Sequence, residues 1–148
     1  MMDMLIYIVA ILALLVLGTM AYVRLAPTDV ARWHQLAQVD SPGDLAEAGG
    51  FRAARRINGD AGEVLAALDR IALATPRTTR IAGDVGEGMI TYQTRSQIWG
   101  FPDHTTVAVQ GDLLVIYGRL RFGGSDMGVN RARVQDWLTQ LGPLIVPR

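Results

Sequence analysis

The chain has 148 residues, half of them hydrophobic (50%) and only 19% charged. Fourteen basic and fourteen acidic residues cancel, so general nucleic-acid binding loses its electrostatic basis. Cysteine is absent and every basic residue is Arg, which excludes thiol catalysis, iron–sulfur clusters, cysteine-ligated zinc and lysine Schiff-base chemistry.

Met4 to Val23 reads MLIYIVAILALLVLGTMAYV, without a charge. At ~1.5 Å per residue this run reaches about 30 Å, the thickness of a bilayer core. A buried helix of that length would show a polar face, and this one has none. Tyr7 and Tyr22 stand near its ends, where amphipathic rings prefer to lie. Met1-Met2-Asp3 lacks the basic start of a signal peptide, the run exceeds the roughly 7–15 residues of a signal core, and no clean A-x-A site follows. The expectation is an uncleaved transmembrane anchor over 1–25, with the lipid bilayer as its partner through residues 4–23. Arg24 and Arg32 follow the span, and by charge alone they favour a cytoplasmic domain.

Residues 26–57 are expected as a juxtamembrane segment and linker. Pro27-Thr28-Asp29 ends the anchor and starts a short helix, with Thr28 or Asp29 as cap. Trp33 lies on that helix, to rest at the membrane interface or to dock on the domain. Residues 40–50 are rich in Gly, Pro and acid and read as a linker or long loop. Phe51 to Ile57, with Arg52, Arg55 and Arg56, reads as a solvated strand or loop. Its arginines form an exposed face or meet headgroups or a partner.

The α+β domain is expected over 58–148. Asp60 to Thr75 predicts a helix. Asp60 and Glu63 form a capping-box-like pair, and Val64, Leu65, Leu68, Ile71 and Ala72 recur at helical spacing. Pro76 stops it. Thr78–Ala82 and Met89–Arg95 predict strands around a glycine-rich turn. His104–Gln110 and Leu113–Arg119 predict a hairpin. Gly111-Asp112 suits a type II′ turn that pairs Gln110 with Leu113 and Val109 with Leu114. Val107, Val109, Leu114 and Ile116 then share the core face. The other face, with Ala108, Leu113, Val115 and Tyr117, is too apolar to be left wet and needs a cover. Val129 to Leu141 predicts a closing helix with Val134, Trp137, Leu138 and Leu141 inward. About four antiparallel strands packed by two helices result.

The densest chemistry runs from Arg119 to Arg133 through Gly123-Gly124-Ser125-Asp126. A glycine-rich loop entering a helix beside Arg119, Arg121, Arg131 and Arg133 has the makings of an anion site. Against it, Asp126 stands where the anion would go. The simpler reading makes Ser125 or Asp126 the helix cap, paired with an Arg. Asn130 falls within the buried stripe. It is expected as a buried latch bonded to backbone of the 119–126 loop. Trp99-Gly100-Phe101-Pro102-Asp103 is an aromatic loop that lines a small pocket or, more simply, plugs the core. His34 and His104 have no partner at metal spacing, apart from Asp103 beside His104. The chain has no G-x-S-x-G, H-E-x-x-H, Walker or Rossmann pattern. No cofactor and no metal site is expected.

Thr94-Arg95-Ser96, Gly100-Phe101-Pro102-Asp103, the hairpin and Arg121-Phe122-Gly123-Gly124-Ser125-Asp126-Met127-Gly128-Val129-Asn130-Arg131-Ala132-Arg133 resemble an uncharacterised family. It is domain of unknown function fourteen ninety-nine, of bacteria and plastids. The resemblance covers about residues 58–141, and its S-D-x-G-x-N-R-x-R part is the specific one. The family pattern has R-S-x-S where this chain has Tyr117-Gly118-Arg119-Leu120, and a second acid where it has His104. Those departures favour a binding or structural role over an enzymatic one. The resemblance implies no activity. It does imply an exported or lipid-anchored habit, and hence a periplasmic domain held by a single-pass anchor in the inner membrane, with an envelope partner. The functional expectation is a non-enzymatic binding or interaction domain. The alternative is an enzyme or small-anion binder using Arg119, Arg121, Ser125, Asp126, Asn130 and Arg131.

Overall fold

The computed structural model describes residues 1–147. Helix α1 spans Met2–Leu25 and is long and apolar enough to cross a membrane. Its side chains stand exposed through Thr19, Met20 is partly covered, and Val23 is buried. A bare apolar cylinder of this kind is stable only in an apolar solvent.

Beyond α1 the chain builds one six-stranded antiparallel sheet with two long helices on one face. The strands are β1 (Gly43–Glu47), β2 (Gly50–Arg56), β3 (Thr78–Asp84), β4 (Met89–Arg95), β5 (Pro102–Gln110) and β6 (Leu113–Leu120). Their order in the sheet is β1-β2-β6-β5-β4-β3. The β5–β6 hairpin has the expected register, Val109 with Leu114 and Gln110 with Leu113. Gly111 supplies the positive φ of 62° that the first turn residue needs.

Six strands, rather than about four, follow from residues 43–56. This stretch, expected as linker and solvated segment, is the β1–β2 hairpin, and β2 pairs with β6 along its whole length. Its alternation was hidden because Phe51 and Ala53 face one core while Ala54 faces a second. Arg55 is not on an exposed face either. It is buried and ion-paired to Asp44 at 2.6 Å.

Helix α3 (Ala61–Ala74) is capped by Asp60, whose carboxylate accepts from the Glu63 amide at 3.0 Å. Helix α4 spans Val129–Leu141. Val64, Leu65 and Leu68 of α3 and Val134, Trp137 and Leu141 of α4 pack on Phe51, Ile90, Tyr92, Val107, Leu114 and Ile116 of the sheet. This core excludes water from the apolar face of every central strand.

The opposite face is covered by the chain's own residues 26–42. Helix α2 (Val30–Trp33) is capped by Asp29. Trp33 then docks on the domain and stacks on His104, ring centroids 4.3 Å apart. Leu36 and Val39 pack on Ala54, Leu113 and Val115. The second face of the hairpin is thus closed by an irregular strap.

The sheet also grips the end of α1. The last carbonyls of a helix lack intrahelical partners and favour cations. Arg95 donates to the carbonyls of Val23 and Arg24 at 3.4 and 3.3 Å. Arg24 donates in turn to Ile98 and Trp99 carbonyls. Arg121 donates to the Pro27 carbonyl at 2.6 Å and to Thr28 Oγ1 at 3.1 Å. The aromatic loop belongs to this joint instead of plugging the core. Trp99 stacks on Phe101, Phe101 meets Phe122, and Phe122 meets Tyr22 of α1 edge-on.

Candidate functional site

The loop before α4 is built around Asp126. Its Oδ1 accepts from the Gly128 amide and its Oδ2 from the Asn130 amide, each at 3.0 Å. Ser125 Oγ accepts from the Met127 amide at 3.2 Å. The position an external anion would take at this helix start is filled by the chain's own carboxylate. Burial works against the charge on Asp126, but the bonds from Asn130 and Gly128 prevail and hold its pKa below the usual value. The residue in the capping position itself is Gly128, and Asp126 caps from two residues upstream.

Asn130 is fully buried, as its place in the stripe requires. Its partners differ from the expectation. Nδ2 donates to Asp103 Oδ2 at 3.3 Å, and Oδ1 accepts from Arg133 Nη1 at 2.8 Å. Arg133 also approaches the same Asp103 oxygen at 3.5 Å. Backbone of the 119–126 loop does not serve: the amide turns to Asp103 and Arg133, with Gly118 of β6 directly beneath it. A Cβ at Gly118 would come within 2.7 Å of Asn130 Oδ1. Burial pushes the Asp103 carboxyl above its usual pKa, and the Arg133 charge and the Asn130 bond only partly offset it.

Of the six candidate residues, the structure brings together Ser125, Asp126 and Asn130. Arg119 points to the opposite face of the sheet. It donates to the Trp33 carbonyl at 2.8 Å and Thr106 Oγ1 at 2.7 Å and lies over the Trp33 ring. Arg121 holds residues 26–28. Arg131 turns outward over the Phe51 ring. The alternation of β6 sends Gly118 to the helices and Arg119 to the strap, so a shared guanidinium pocket does not form.

Sequence reasoning missed Asp103 and Arg133 as the partners of Asn130. Counting back by twos from Val109 and Val107 puts Asp103 on the helix face, which is the signal that finds it. Arg133 follows Asn130 by three residues, one helical turn on. Ser96, Phe101 and Phe122 join Asp103, Asp126 and Arg133 around a cleft of about 220 Å³.

The family described as "Protein of unknown function (DUF1499)" matches residues 27–141. The chain belongs to the DUF1499 family. The matched region takes in the strap and the β1–β2 hairpin as well as the helices. No curated protein matches the chain. Two positions of this DUF1499 domain have structural roles. Gly118 makes room for Asn130, and His104 is buried under Trp33.

Proposed function

We propose that the chain is a single-pass inner-membrane protein presenting a small non-enzymatic binding or interaction domain at the bilayer surface. The observation that carries this reading is the joint between α1 and the sheet. Val23, the last residue of the apolar run, is buried by the domain, and Arg95 and Arg121 bind the carbonyls that follow. A domain fixed this closely to a span has no freedom to leave the membrane, so its partners are met there.

The polar corner supports the non-enzymatic side of the proposal. Asp126 is committed to α4, Asp103 to Asn130 and Arg133, and Arg119 and Arg121 to the strap. We place the domain on the periplasmic side, following the exported habit implied by the family resemblance, with an envelope protein as partner.

Thermal melting of the full chain in detergent with inorganic phosphate and small carboxylates tests the choice against an anion-binding corner. A ligand at ~100 Kd adds about 2.7 kcal/mol. No shift is expected. A rise in Tm that Arg133→Gln abolishes would favour the small-anion alternative.

A further inference from the structure

A second cleft, of about 470 Å³, lies beside the end of α1 and is lined by Arg24, Arg77, Arg95, Ser96, Gln97 and Gly100, among others. Three guanidinium groups from three distant segments converge there, and no carboxylate is in its lining. Among the described residues, none of the three makes an ion pair. Their bonds go to neutral carbonyls: Arg24 to Ile98 and Trp99, Arg77 to Arg95, and Arg95 to Val23, Arg24 and Gly100. Gly100 allows this approach, since a Cβ there would meet Arg24 Nε at 2.8 Å.

We propose that this cleft binds the phosphate of an anionic phospholipid headgroup. The proposal rests on residues 4–23 spanning the bilayer. The span then fixes the height of the cleft, because Arg24 is the first residue beyond the apolar run. Lipid phosphates sit just outside the hydrocarbon core, at that level. The loop that Arg24 holds presents Ile98, 73% exposed, and Trp99, 38% exposed. An exposed Ile beside a half-exposed Trp is suited to the acyl–headgroup boundary. Guanidinium forks match phosphate oxygens in pairs, and Arg24 and Arg77 keep terminal nitrogens free of the bonds named above. A lipid therefore meets charge at its head and apolar surface along its upper chains. A free phosphate meets only the charge.

The test uses the full chain in nanodiscs of phosphatidylcholine, with and without phosphatidylglycerol, and native mass spectrometry to count retained lipids. Wild type is expected to retain phosphatidylglycerol preferentially. Arg77→Asn keeps a residue that tolerates the positive φ of 58° found there. It is expected to reduce the preference about fivefold, the factor equivalent to ~1 kcal/mol per basic residue at an anionic surface. Arg70→Asn, on the exposed side of α3, is the control and leaves the preference unchanged. Equal retention of both lipids by wild type would overturn the proposal while leaving the span intact. Failure of the chain to enter nanodiscs would refute the span itself, and the proposal with it. Inorganic phosphate that displaces phosphatidylglycerol at matched concentration would overturn the assignment to lipid in favour of a soluble phosphate.

Discussion

Replacing Asn130 by Ala removes two hydrogen bonds whose partners are both charged, Asp103 and Arg133. Bonds to charged groups contribute about 1.5–3 kcal/mol each, and they overlap here because the partners also touch each other. The expected loss is about 3 kcal/mol, a large share of a typical stability of ~5–15 kcal/mol. The backbone bond from residue 130 to Asp126 survives the substitution, so α4 still starts at the same place. Urea unfolding of the full chain in detergent, followed by Trp fluorescence, reads the effect. With a slope of ~1.5–2 kcal/mol/M the midpoint falls by about 1.5–2 M. Asn130→Asp sharpens the test. It keeps an oxygen for Arg133 but sets a second carboxylate against Asp103, whose carboxyl is already held above its normal pKa. Its deficit is expected to shrink as pH falls and one of the pair takes a proton. A midpoint for Asn130→Ala within ~0.3 M of wild type, or a pH-independent deficit for Asn130→Asp, would refute the latch.

Three further outcomes follow from the same geometry. Burial, helped by the charges of Arg121, Arg119 and Arg95, pushes the His104 pKa down to about 4. The unfolded chain takes up its proton near pH ~6.5, so stability is full above that value and is lost as pH falls towards 4. The loss is about 3 kcal/mol, and His104→Phe should flatten it in acid titrations of the unfolding midpoint. Gly118→Ala drives a Cβ against Asn130 and should cost about 1–3 kcal/mol by the same urea assay. Asp126→Ala should cost about 1–2 kcal/mol through the lost cap. Asp126→Asn, which keeps one of the two acceptor oxygens that Gly128 and Asn130 use, should cost less than Asp126→Ala.

What the sequence revealed depended on whether one element carried the whole signal. Helices α3 and α4 and the β5–β6 hairpin were legible because period, cap and turn chemistry sit within each segment. The β1–β2 hairpin was not. Its seven-residue second strand contains three arginines, and one of them, Arg55, is buried only because Asp44 of the neighbouring strand reaches it. The cover over the second sheet face was legible as a need but not as a particular segment. Asn130 was found from helical periodicity alone. Its true partners lay on another strand and one turn ahead, where side-chain alternation, not loop proximity, decided the contact. The arginine-rich corner misled because residues adjacent in sequence on β6 point to opposite faces. The arginines that do converge, Arg24, Arg77 and Arg95, come from α1, the turn after α3 and β4, and leave no local pattern.

The central claim is a domain held on a single membrane span and facing the periplasm. Reporter fusions at the C-terminus test it most directly, with alkaline phosphatase active only when exported and green fluorescent protein bright only in the cytoplasm. The account predicts an active phosphatase fusion and a dark fluorescent one, both in the membrane fraction. A bright fluorescent fusion with inactive phosphatase would contradict it and show that Arg24 and Arg32 set the orientation. Recovery of either fusion in the soluble fraction would contradict the anchor itself.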